Sequence, residues 1–166
     1  MRVTQSQSSF LLARKFASGA QLSDVRLAAC RVWSQREWSG DDAESKVTFK
    51  PSVPEVGEKA VVLPVSFSVR IVDNAAGSDI FGVECELEGR YSLRPDYHPT
   101  PEEVSAFQEA NAVYHYWPFF REFVQSTSTR AGYPPVPVPL LTLSVERPST
   151  EKQPKRARAL KAPSVD

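Results

Sequence analysis

Between Val61 and Leu93 the chain alternates apolar and polar positions with little interruption. In the first run Val65, Phe67, Val69 and Ile71 fall on one side and Ser66, Ser68 and Arg70 on the other. In the second, Phe81, Val83, Cys85, Leu87, Tyr91 and Leu93 oppose Glu84, Glu86, Glu88, Arg90 and Ser92. A period of two sustained this long predicts two strands of an antiparallel sheet with one buried and one wet face. Asp73-Asn-Ala-Ala-Gly-Ser78 between them reads as a hairpin connection. Upstream, Lys46 to Lys50 is a short alternating strand stopped by Pro51 and Pro54. Leu22 to Trp38 alternates only roughly, which predicts a strand with a bulge near Cys30. Phe10 to Ala20 has room for one or two helical turns ending at Gly19, and residues 1–9, Ser/Gln-rich, are expected to be disordered.

After the strands the period changes. Thr100-Pro-Glu-Glu103 is a helix start, with Thr as N-cap, Pro at the first position and Glu at the third. That helix is expected to run to about Tyr114, with Val104, Phe107 and Asn111 on one side. Trp117-Pro118 then predicts a kink and a second helix to Ala131, with Trp117, Phe120, Val124 and Thr127 sharing a face. Gly132 is placed to end it in the left-handed conformation. The prolines of Tyr133-Pro-Pro-Val-Pro-Val-Pro-Leu140 enforce an extended exit. Strands first and helices after predict an α+β fold: a four-stranded antiparallel sheet with two helices packed on one face. Its expected extent is residues 10–145, followed by a disordered basic tail over 146–166.

Composition narrows the function classes. Twenty Lys+Arg balance 20 Asp+Glu, so whole-molecule steering toward nucleic acid or anionic membrane is not expected. The balance is uneven, because Lys152, Lys155, Arg156, Arg158 and Lys161 crowd the tail and leave the body acidic. That tail lacks the interleaved aromatics on which single-stranded nucleic acid stacks. Two cysteines, Cys30 and Cys85, fit buried thiols in a reducing compartment better than a disulfide scaffold. Phe10 to Ala13 is too short for a signal-peptide core, and no apolar run is long enough to span a membrane. A cytoplasmic location is the expectation.

Catalytic chemistry is sparse. His98 and His115 are the only histidines, and His98 has only Asp96 nearby in the sequence, short of the three convergent ligands a metal site wants. Phosphate-loop, nucleophile-elbow and CxxC patterns are missing. No metal and no cofactor is expected. An enzymatic alternative, a small hot-dog-like thioesterase, would have to use Glu109 or Asn111 at the helix–sheet interface.

One resemblance organises these elements. Asn111…Trp117-Pro-Phe-Phe-Arg-Glu-Phe-Val124…Gly132-Tyr-Pro-Pro-Val-Pro-Val138 is similar to the SecB family of export chaperones, as is the strand Phe81-Gly-Val-Glu-Cys-Glu-Leu-Glu-Gly-Arg-Tyr-Ser-Leu93. The loop Tyr97-His-Pro-Thr-Pro-Glu-Glu-Val104 looks more like a diverged SecB-like branch, whose members can serve as chaperones for antitoxins. The resemblance implies a non-enzymatic, ATP-independent holdase, a homotetramer built as a dimer of dimers. Its partners would be unfolded preproteins or an antitoxin, and for export the translocase ATPase. By position in the family pattern, Val47, Phe49, Val136, Val138 and Leu141 would bind client peptide. Asp24, Glu84 and Glu86 would lie on the surface offered to the ATPase, where Gly82 and Ala28 stand in place of the family's Leu and Glu.

Overall fold

The fold is seen in a computed structural model that describes residues 1–35 and 42–146. Its centre is the hairpin of β5 (Ala60–Asp73) and β6 (Asp79–Leu93), joined by a turn in which the Asp73 carboxylate accepts from the amides of Ala75 and Ala76 at 2.8 and 3.0 Å. Gly77 supplies the positive φ, +65°, that closes the turn. β2 (Ala20–Ser34) pairs antiparallel with β6, β3 (Ala43–Pro51) pairs antiparallel with β5, and the two-residue β4 (Glu55–Val56) continues that edge. The sheet order is β2-β6-β5-β3. Pro64, in the middle of β5, falls where the neighbour changes from β3 to β4, so its missing N–H interrupts no ladder on that side. The rough alternation of β2 resolves into register shifts between Leu22 and Asp24 and between Leu27 and Ala29, the second close to the expected bulge.

The alternation of β5 and β6 sorts their side chains as the pattern requires. Val61, Leu63, Val65, Phe67 and Val69 are buried on β5, as are Phe81, Val83, Cys85, Leu87 and Tyr91 on β6. Over them lies a continuous helical layer: α2 (Pro101–Phe107), a π-helical turn (Gln108–Ala112) and α3 (Val113–Arg130). Val104, Phe107, Val113, Tyr116, Trp117, Phe120 and Val124 of this layer join the same buried core. Tyr116 reaches across to donate to the Leu63 carbonyl at 3.0 Å, over Gly89, where a Cβ would meet the phenol oxygen at 2.1 Å. α1 (Gln7–Gly19), capped by Ser6, packs on α2 through Phe16, which sits among Tyr91, Tyr97 and Phe107.

Two expectations are corrected. Pro118 does not divide two helices; it lies inside α3. Pro118 and Tyr114 are both exposed, so solvent can take the Tyr114 carbonyl that the proline cannot serve. The irregular turn comes earlier, at the π segment. There the buried Gln108 turns in to donate to the Ser52 and Pro64 carbonyls at 2.9 and 2.8 Å. Nor are residues 1–9 without structure. Arg2–Gln5 form β1, which pairs in parallel with β7 (Thr142–Val145), and residues 7–9 open α1. A polar nonapeptide carries no local sign of a partner near the other end of the chain. The ladder is fastened by the N-terminal ammonium on the Leu140 carbonyl at 2.9 Å and by Gln5 Nε2 on the Ala106 carbonyl at 2.9 Å. The expected tail lies, beyond Glu146, outside the described residues.

The helix start at Thr100 is a full capping box. Thr100 Oγ accepts from the Glu103 amide and the Glu103 carboxylate accepts from the Thr100 amide, both at 3.3 Å. Glu103 is buried, yet it is ion-paired with Lys15 and accepts from Tyr97 Oη at 2.7 Å. Burial alone would raise its pKa; the hydrogen bonds from Lys15, Tyr97 and Thr100 outweigh it and hold the carboxyl below its ordinary value. Because the folded value is depressed, this stabilisation is complete above the ordinary carboxylate pKa and is lost as pH falls through the lowered one. Glu103→Gln should cost roughly 2 kcal/mol in urea denaturation near pH 7, with the difference from wild type shrinking in acid.

Candidate polypeptide-binding surface

Two surfaces carry the side chains singled out from sequence. The first is the open face of the sheet, away from the helices. A concavity of about 640 Å³ runs across β2, β6, β5 and β3 there, and Glu84, Glu86, Arg31 and Lys50 line it. Glu84 and Glu86 are thus brought together. Asp24 is not; it lies further along β2, in register with Arg90. Glu84 is paired with Arg70 at 2.9 Å, and Arg70 also reaches Asp79 at 3.8 Å. Glu86 accepts from Ser52 and Ser66 hydroxyls at 3.1 and 3.3 Å. Glu88 is held by Arg26, with contacts of 2.5 and 2.7 Å. The acids of this face are therefore largely matched across strands by cations or hydroxyls, and the field they project is weak.

The same face holds an arrangement that motif reading missed. Trp33 lies flat on Gly82, where a Cβ would come within 2.0 Å of the indole. The guanidinium carbons of Arg31 and Arg70 stand 5.5 and 5.6 Å from its ring centroid, within cation–π reach. Gly82 is thus the seat of an aromatic ring from the neighbouring strand. A glycine interrupting so regular an alternation was the available signal.

The second surface is the β3 side of the helical layer. Val47 and Phe49, both half-buried, point toward the helices, and Phe49 contacts Phe67 and Trp117 with ring centroids 6.4 and 6.3 Å apart. Beyond Gly132 (φ +84°), whose helix end is closed by the Tyr133 amide on the Ser128 carbonyl at 3.0 Å, the exit segment runs alongside. Trp117 Nε1 donates to the Pro139 carbonyl at 2.8 Å, so one indole touches both Phe49 and the exit. The exit alternates: Val136, Val138 and Leu141 are buried at 6, 3 and 7% exposure, whereas Pro135, Pro137, Pro139 and Leu140 are outside. Of the five positions expected to meet a client, Val47 and Phe49 are partly open and the three on the exit pack into this chain's own core.

Glu109 is exposed on the outer side of the π turn and accepts from Ser105 at 3.1 Å, away from the helix–sheet interface a thioesterase carboxylate would need. Asn111 Oδ1 is buried without a hydrogen-bond partner among the described residues. His115 shares a 3.0 Å hydrogen bond with Tyr91, and burial lowers its pKa, which favours the neutral ring. Among the described residues no group of three or more His, Cys, Asp or Glu side chains is placed to hold a metal ion. No described helix is long and apolar enough to cross a membrane.

Gly82→Leu, the residue the SecB pattern has at this position, should unseat Trp33. The expected result is a loss of about 1–3 kcal/mol in urea denaturation and greater quenching of tryptophan emission by acrylamide.

No protein-family model matches the sequence, and no curated protein sequence matches it. Among solved structures, the Mycobacterium tuberculosis Rv1957 SecB-like chaperone, in complex with a ChAD peptide from the Rv1956 HigA1 antitoxin, superposes with a TM-score of 0.72. The match covers 83% of this chain and 99% of that one at 22% identity. A protein of unknown function from Streptococcus agalactiae matches at a TM-score of 0.39 and 13% identity, over 73% of this chain and 97% of that one. The chain is similar to the mycobacterial chaperone over nearly the whole of the latter's length, and the fold they share is SecB-like.

Proposed function

We propose that this protein is an ATP-independent holdase that binds unfolded segments of other polypeptides, with an antitoxin-type client as the favoured class. The observation that carries the reading is the fold shared with a chaperone whose structure holds an antitoxin peptide. Partly open apolar positions at Val47 and Phe49, beside the buried Trp117, support it, because an extended chain can lay apolar side chains on such a surface with little sequence specificity. The exit residues Val136, Val138 and Leu141 join that surface only where the segment lifts from Trp117. The compensated charges of the open sheet face argue against the export branch, since Glu84 is paired with Arg70 and Glu86 accepts from the Ser52 and Ser66 hydroxyls before any translocase ATPase arrives. We place the protein in the cytoplasm and as a homotetramer, in keeping with grooves that are sheltered by assembly.

In the test, the full chain is added without nucleotide to a protein diluted from denaturant, and light scattering follows aggregation. Delay at near-stoichiometric concentration is expected, and Val47→Ser with Phe49→Ser should weaken binding of an unfolded antitoxin segment about tenfold, or roughly 1.4 kcal/mol. Circular dichroism and a urea titration check that the variants remain folded. Absence of both delay and client binding in the wild-type chain would sink the proposal. Mass measurement in solution tests the tetramer, and tight association with a purified translocase ATPase would move the reading to export.

A further inference from the structure

Cys30 on β2 and Cys85 on β6 are direct partners in the antiparallel register. The kind of pair follows from the hydrogen bonds. At the end of this ladder the Gln35 amide donates to the Ile80 carbonyl at 2.8 Å, which makes 35/80 a hydrogen-bonded pair. The register is unbroken from there back to Cys30, the nearest shift lying between Leu27 and Ala29. Hydrogen-bonded and non-hydrogen-bonded pairs alternate along an antiparallel ladder, so 33/82 and 31/84 are of the first kind and 34/81, 32/83 and 30/85 of the second. Non-hydrogen-bonded partners have Cα atoms about 4.5 Å apart and their side chains at closest approach, inside the range a disulfide spans. The two thiols also share a face, the one toward the helices, because Cys85 is in register with buried Phe67 on β5. Both cysteines are free, one exposed and one buried.

We propose that Cys30 and Cys85 form a reversible redox site that low-molecular-weight disulfides oxidise to a cross-strand disulfide tying β2 to β6. The order of events follows from access. Burial, and secondarily the neighbouring Cys30, push the Cys85 thiol up to about 12, so Cys85 stays protonated while exposed Cys30 meets the oxidant first. The Cys30 thiolate attacks one sulfur of the small disulfide, forming a mixed disulfide and releasing one small thiolate. Cys85, losing its proton to water, then attacks Cys30 Sγ and releases the second. Two protein thiols become one disulfide, one small disulfide becomes two thiols, and the protons pass to the departing thiolates. The bond would fix the register of a strand that has only one neighbour, next to its second bulge. This inference stands independently of the chaperone reading.

The experiment uses the full chain equilibrated with oxidised glutathione, quenched with a thiol-alkylating agent and measured as intact protein. Wild type should lose the mass of two hydrogens, retain no glutathione, take up no alkylating agent and yield a Cys30–Cys85 linked peptide that reductant separates. Cys85→Ala should instead trap glutathione on Cys30, and Cys30→Ser should leave Cys85 unmodified. A wild-type chain that keeps glutathione on Cys30, links to a second chain through Cys30, or leaves both thiols free under the same conditions would overturn the proposal.

Discussion

The constraint on which the structure depends is the strict two-residue period of the β5–β6 ladder. It gives the sheet one face that must be covered and one that need not be. Every odd position from Val61 to Ile71 and from Phe81 to Tyr91 is buried, Gly89 among them. At roughly 25 cal/mol per Å² such a face is a strong reason for helices to lie on it. The covering layer is then dictated in detail: Tyr116 over Gly89, Phe120 stacked 4.9 Å from Phe67, Trp117 against Phe67 and Phe49. A register slip of one residue would present Glu84, Glu86 and Glu88 of β6, or Ser66, Ser68 and Arg70 of β5, to this layer, so the pairing is strongly specified.

What could be read from sequence divides along the same line. The paired strands, the capping box at Thr100, the glycine stop at Gly132 and the α+β order are signals within a few residues of one another, and each is where the pattern puts it. The β1–β7 ladder was invisible because its two members are polar or short and lie at opposite ends of the chain. Pro118 misled because a proline's cost inside a helix depends on whether solvent can take the carbonyl it abandons, and that is a tertiary fact. The π turn has no sequence signature of its own; it is fixed by Gln108 bonding to carbonyls of Ser52 and Pro64 in a separate part of the chain.

The candidate surfaces were legible as residue types but not as environments. Glu84 and Glu86 were placed on the wet face correctly, yet an alternating acidic strand does not reveal that Arg26 and Arg70 lie across from it. The apparent acidity of the face is thus a property of one strand and not of the sheet. Gly82 shows the same dependence on the neighbour. On its own strand it is a gap in a pattern, and across the ladder it is the floor under Trp33. Cys30 and Cys85, far apart in sequence, become a pair only through the register.

Trp117 is where the packing and the proposed binding surface cannot be separated. It is 3% exposed and lies against Phe49, Phe67 and Phe120, with its indole N–H committed to the Pro139 carbonyl. The aromatic helix and the Val-Pro-Val exit belong to one core. The exit places its prolines outward and Val136 and Val138 inward, as one more layer on the same core. Detaching it breaks the Trp117 bond and the Val136 amide's bond to Ser128 Oγ, each worth about 1 kcal/mol net, and exposes three apolar side chains. That exposure costs more than the two hydrogen bonds, since each such side chain accounts for about 1.5–3 kcal/mol when fully buried. A client could recover the cost only by placing apolar side chains of its own where Val136, Val138 and Leu141 had been. The surface open without that exchange is the β3 side, where Val47 and Phe49 are only partly covered.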